Sequence, residues 1–140
     1  MADIPASSSL GAHGARPPTV LVVDDDEGVT TFFATLLARN GYVVDVAHDG
    51  PSALTSALNT PPDVVLLDVM IPGLDGFEIC RRLKREPGTR LTPIILVTAL
   101  SAREQRIEGL EAGADEFLTK PVDTHERYCQ VEAAAGSVGR

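Results

Sequence analysis

Unbroken apolar runs alternate along this chain with segments in which apolar residues recur at intervals of three and four. The longest run, Val64-Val65-Leu66-Leu67-Asp68-Val69-Met70-Ile71, is rich in β-branched and aliphatic residues and predicts a strand buried on both faces, as a parallel sheet requires. A carboxylate, Asp68, sits within its end. Pro72-Gly73 then stops the strand in a tight turn, and Asp75-Gly76 opens the next helical segment. On this stretch alone, Asp68 reads equally well as a turn-stabilising residue or as a reactive group at a strand end.

Four further strands follow from the same pattern. Val20-Leu21-Val22-Val23 is closed by Asp24-Asp25-Asp26, Tyr42 to Ala47 forms the second strand, Pro93 to Thr98 the fourth, and Asp115 to Pro121 a short fifth. The helices lie between them. Val29, Phe32, Phe33, Leu36 and Leu37 mark one face of the first, capped by Asp26 and stopped by Gly41. Asp49-Gly50-Pro51 starts the second, whose predicted apolar face is Leu54, Ala57 and Leu58. The third runs from about Asp75 to Arg85, with Phe77, Cys80 and Leu83 inward and Arg81, Arg82, Lys84 and Arg85 on a solvated face. Ser101 and Glu104 form a capping box for the fourth, which stops near Gly113, and Asp123 and Glu126 form another for a last helix.

Strict alternation of five strands with five helices predicts an α/β fold: a single doubly wound (βα)5 domain with a parallel five-stranded sheet. The order 2-1-3-4-5, flavodoxin-like, is expected for a unit of this size. With 140 residues and 44% apolar content, the chain suffices for one such core. Residues 1–18, rich in small residues and closed by Pro17-Pro18, read as a flexible leader, 19–135 as the domain, and 136–140 as a flexible tail.

Composition narrows the partners. A formal charge of −8 with no basic stripe argues against direct contact with nucleic acid. No apolar run is long enough for a signal peptide or a membrane span, so a cytoplasmic protein is expected. Cys80 and Cys129 have no metal spacing and read as reduced thiols, with a disulfide between them left open.

In the predicted topology Asp24 and Asp25, Asp68, Thr98 and Lys120 leave adjacent strands on one edge of the sheet. Clustered carboxylates repel one another and are tolerated when a cation joins them. Oxygen-only ligands with open positions suit magnesium, which shares its sphere with phosphate, while Lys120 and Thr98 supply a charge and a hydrogen bond for a phosphoryl group.

At this point VLVVDDDE, LLDVMIPGLDG, ILVTA and FLTKP, spread over residues 19–131, make the resemblance specific. The chain resembles the receiver domain of a two-component response regulator. The resemblance implies that Asp68 accepts a phosphoryl group from a histidine kinase or phosphotransfer protein. Asp24, Asp25, Asp68 and the backbone carbonyl of Met70 would hold Mg2+, and Thr98 and Lys120 would contact the phosphoryl oxygens. It also implies a cis bond between Lys120 and Pro121, and a switch formed by Thr98 and Phe117 that alters a target-binding face over residues 101–131. Such a domain is a signalling module, not an enzyme, apart from catalysing its own phosphorylation and slow dephosphorylation.

A different class competes. Asp24 and Asp26 also read as the nucleophile and acid of a haloacid dehalogenase-type phosphohydrolase, although Glu27-Gly28-Val29 lacks the Gly-Thr continuation and Asp68 would have no role. Within the receiver reading, Glu126-Arg127-Tyr128 departs from the usual aliphatic pair of the last helix, which leaves oligomeric state open. No output domain follows, so a stand-alone receiver or a part of a larger regulator is expected.

Overall fold

The computed structural model describes residues 16–98, 103–119 and 132–134. Its elements are β1 (Thr19–Val23), α1 (Glu27–Arg39), β2 (Val43–Ala47), α2 (Gly50–Asn59), β3 (Val64–Asp68), α3 (Gly76–Arg85), β4 (Ile94–Thr98), α4 (Arg103–Glu111) and β5 (Glu116–Thr119). All four strand pairings are parallel and the order is β2-β1-β3-β4-β5, as the alternation predicts. The capping residues Ser101, Asp123 and Glu126 lie outside the described residues, as do Cys129, Lys120 and Pro121.

The two-residue period of a strand divides the core into two layers, one on each face of the sheet. Leu21, Val23, Val65, Leu67, Ile94 and Leu96 point to the side covered by Ala53 and Ala57 of α2 and by Phe77, Cys80 and Leu83 of α3. Val20, Val22, Val64, Leu66, Ile95 and Val97 point to the other side, where Phe33 and Leu37 of α1 pack, with Ala134 against the same cluster. Asp68 continues the parity of Val64 and Leu66, which places it on the α1 side of the sheet.

Two helix faces differ from their predicted extent. Phe32 is 47% exposed, and Leu58 is 40% exposed while Ala53 takes its place in the core. A helix laid on a twisted sheet buries a stripe narrower than every position at apolar spacing, so residues at the stripe's margin remain in solvent. At the outer edge of the sheet, Val43 and Val46 of β2 are also largely exposed, with exposed Asp45 between them.

The helix ends follow their capping residues. The Asp26 carboxylate accepts from the backbone N–H groups of Gly28 (2.8 Å) and Val29 (3.3 Å), Asp49 from Ser52 (2.8 Å), and Asp75 from Glu78 (2.9 Å). The solvated basic face of α3 also carries an ion-pair network. Arg81 binds both Glu78 (3.2 Å) and Glu108 of α4 (2.9 Å), Arg82 binds Glu78 (3.0 Å), and Lys84 binds Asp115 (3.1 Å). Cys80 is a free buried thiol whose pKa burial pushes up to about 11, so it is an inert core residue.

The hydrogen bond from Arg82, and then that from Arg81, hold the Glu78 carboxyl below its ordinary value of 4.5. A depressed carboxyl contributes stability that is fully present above its unfolded pKa and lost as pH falls through the folded one. The stability difference between the native protein and Glu78→Gln should therefore be small at pH 7, as for surface pairs generally, should begin to shrink as pH falls below the ordinary glutamate range, and should vanish once pH has passed the depressed value. Urea unfolding across pH 3–7 measures it, and a difference that persists at low pH would contradict the assignment.

Candidate functional site

The site forms where β1 and β3 end, because parallel pairing of Val23 with Leu67 brings the next residues of both strands to one edge. Asp24 is 4% exposed. Its N–H donates to the Ala47 carbonyl (3.2 Å), which ties the departing chain to β2, and one of its oxygens accepts from the Asp26 N–H (3.0 Å). The three consecutive acids thus separate: Asp24 points into the crevice, Asp25 stands exposed at its rim, and Asp26 caps α1.

Asp68 is 5% exposed and accepts from the Met70 N–H (3.1 Å). The Val69 N–H donates to Val97 (2.9 Å) and the Gly76 N–H to Val69 (2.9 Å), so the backbone just before Met70 is fixed. One carboxylate oxygen from each of Asp24, Asp25 and Asp68 lies within 4.8 Å of the others. At an effective dielectric of 20, the buried pair alone repels by on the order of 3 kcal/mol. A divalent cation offsets that repulsion, and the all-oxygen donor set suits a hard cation, so the three residues fit a metal site.

Thr98 ends β4 in register with Thr119 of β5, while its neighbour Val97 pairs with Asp68. The backbone thus brings Thr98 to the same edge as the carboxylates. Lys120 lies outside the described residues. Beside the carboxylates, a cleft of about 580 Å³ runs between the β3–α3 loop and α4, lined by Asp25, Met70, Ile71, Phe77, Gln105 and Glu108. The Met70 side chain is 59% exposed at its mouth.

Phe117 of β5 is 8% exposed, its ring turned inward, and the Arg106 guanidinium carbon lies 5.1 Å from the ring centroid. A Cβ on Gly109 of α4 would come within 2.8 Å and 3.0 Å of two ring carbons. Neither Arg106 nor Gly109 was apparent as a partner of Phe117 from the sequence. The one available signal was a glycine inside the helical segment Arg-Ile-Glu-Gly-Leu-Glu, where it carries a propensity cost that calls for a packing reason.

A doubly wound α/β domain with an acidic crevice at the carboxyl ends of its central strands belongs to the flavodoxin-like class that binds its ligands at the topological switch point. Within that class, the chain belongs to the response regulator receiver domain family, whose model matches residues 20–131. It is 48% identical over 114 residues to the response regulator PleD of Caulobacter vibrioides, covering 81% of this chain and 25% of that protein. It is 45% identical to the response regulator MprA of a Mycobacterium species, covering 84% of this chain and 50% of that one. The chain thus spans between a quarter and a half of these relatives. A receiver domain of the Francisella response regulator 1452 superposes with a TM-score of 0.77 at 38% identity, covering 86% of this chain and 98% of that one.

The phosphohydrolase alternative is not favoured. One oxygen of its second acid, Asp26, accepts from the N–H groups of Gly28 and Val29 in the first turn of α1, and the family assignment gives the strand-end acids a different context.

If a divalent cation relieves the cluster, occupancy at 100 times its dissociation constant should add about 2.7 kcal/mol to the unfolding free energy. In metal-free buffer Asp25→Asn should be more stable than the native protein, because one charge has left the cluster, and it should gain less when the cation is added. Urea titrations with EDTA or with Mg2+ test both signs. Native stability indifferent to divalent cations would show that the cluster is not a metal site.

Proposed function

We propose that Asp68 is the residue that takes the phosphoryl group, from a phosphohistidine on a histidine kinase or a phosphotransfer protein. The observation that carries this reading is the approach of three carboxylates to within 4.8 Å at the ends of β1 and β3, with Asp68 the one that a strand end delivers directly into the crevice. A carboxylate oxygen of Asp68 attacks phosphorus, the phosphorus–nitrogen bond breaks, and its electron pair returns to the imidazole, leaving an acyl phosphate. Asp24, Asp25, Asp68 and the Met70 carbonyl would hold Mg2+, which when bound neutralises the oxygens of the transferring group. Asp24 also orders the loop through its bond to the Asp26 N–H, and Met70 N–H orients the Asp68 carboxylate. Thr98 and Lys120 would bind the phosphoryl oxygens.

Readout is assigned to Phe117 and Thr98, acting on a target-binding face over residues 101–131. The inward ring, held by Arg106 and accommodated by Gly109, supports a switch biased toward the buried state before any phosphate arrives. The exposed thioether of Met70 cannot orient a hydrolytic water as a polar side chain can, which favours a long-lived acyl phosphate. A cytoplasmic receiver over residues 19–135, flanked by a leader and a tail, fits this role. Among the described residues, no helix is long and apolar enough to cross a membrane.

Incubation with acetyl phosphate and Mg2+ should add one phosphate per chain by intact mass, and Asp68→Asn should abolish the addition. Labelling that survives in Asp68→Asn would overturn the assignment.

The ring can be tested separately. Gly109→Ala favours the helix by about 0.5–1 kcal/mol, but its methyl group overpacks against Phe117 at a cost of roughly 1–3 kcal/mol. Overpacking wins, so the variant should be less stable than the native protein, with Phe117 displaced outward in aromatic NMR spectra. A more stable variant with an unmoved ring would show that the close contact has no consequence.

A further inference from the structure

We infer that Gly50, at the first position of α2, is a positioning residue for the Asp68–Met70 backbone, acting through the β3–α3 loop. The inference deepens the phosphoryl-acceptor reading, on which its functional consequence rests. Gly50 touches none of the three carboxylates. Its N–H donates to the Pro72 carbonyl (2.9 Å), which fastens the turn after β3 to the start of α2.

The approach is too close for any side chain. A Cβ on Gly50 would overlap the Leu74 carbonyl oxygen and lie 2.6 Å from Leu74 Cβ and 2.7 Å from Leu74 N. Two of these three atoms are backbone, so no rotamer change relieves the overlap and the loop itself must move. The contact is reciprocal. Gly73 has φ +90, and a Cβ there would lie 2.7 Å from Pro51 Cδ, so the proline ring occupies the space that a side chain would need.

The same loop is closed at its other end against the site. The Gly76 N–H donates to Val69 (2.9 Å), and a Cβ on Gly76 would lie 2.7 Å from Val69 Cα and 2.8 Å from the Asp68 carbonyl oxygen. The segment between Asp68 and Gly76 is therefore clasped twice, in its middle by α2 through Gly50 at Pro72 and Leu74, and where its two ends meet by Gly76 against Asp68 and Val69. Met70, whose N–H orients Asp68 and whose carbonyl is the proposed fourth metal ligand, lies inside the clasp. Displacing Pro72 and Leu74 by the width of a methyl group moves Met70 relative to Asp68, because only two peptide bonds separate Met70 from Pro72.

The test compares Gly50→Ala with Ala57→Gly, which loosens the same helix at a buried position without adding an atom against the loop. In metal-free buffer, hydrogen exchange at the Met70 and Gly76 amides, read by NMR, should accelerate at least about tenfold in Gly50→Ala relative to core amides of β3. Its dissociation constant for Mg2+ should rise by a similar factor. Ala57→Gly should unfold at lower temperature, yet keep both the relative exchange rates and the Mg2+ affinity of the native protein. Should Gly50→Ala fail to fold, Pro51→Ala removes the ring that faces Gly73, adds no bulk, and should shift the same amides in the same direction.

A folded Gly50→Ala with native exchange and native affinity would overturn the inference, as would Pro51→Ala with unmoved amides. Equal perturbation by Ala57→Gly would also overturn it, since general loosening of α2 would then account for the effect. A native protein that binds no Mg2+ would instead count against the phosphoryl-acceptor reading, while the amide exchange still decides whether Gly50 positions the loop.

Discussion

Two carboxylates, Asp24 and Asp68, are buried side by side where the central strands end, and neither is there for the benefit of the fold. Taking charged groups out of water is costly, and a core of the same shape is often as stable or more so with apolar groups in such places. The rest of the structure supplies what is needed to keep them. Parallel pairing of β1 and β3 fixes their separation, central strands buried on both faces supply the stability to tolerate them, and backbone N–H groups of Asp26 and Met70 satisfy one oxygen on each. Burial and charge meet here in a chain whose pattern and packing are otherwise consistent, which is where a functional site is looked for first.

Much of this was legible in the sequence. The strands declared themselves because both sheet faces are covered, which demands continuous apolar runs, and the acids that interrupt those runs could only lie at strand ends. Asp26, Asp49 and Asp75 were legible as helix caps or helix starts for the same local reason, and the family motifs then ordered the strand-end residues. Helix faces were less legible. Phe32 and Leu58 carry the apolar spacing of core residues, but which flank of a helix meets the sheet depends on twist and crossing angle, which no single helix encodes.

Contacts between distant segments were the least legible of all. Gly50 reads as part of a turn signal and Gly109 as an imperfection in a helix, and only the fold reveals that a loop backbone lies against one and an aromatic ring against the other. The basic residues of α3 show the same limitation. Their spacing suggested a solvated face, whereas Arg81 reaches Glu108 and Lys84 reaches Asp115, so part of that charge joins α3 to α4 and to the start of β5. Such pairs contribute little individually at an exposed surface.

The exposed rim of β2 carries a consequence of another kind. Among the described residues no strand pairs with its outer side, and Val43 and Val46 leave apolar surface on its two faces, so this is the border at which a foreign strand could extend the sheet. Asp45 stands between the two valines, and any added strand would have to bury its charge. A charged side chain on an edge strand opposes such pairing, and Asp45 stands at the border opposite the strand that carries Phe117.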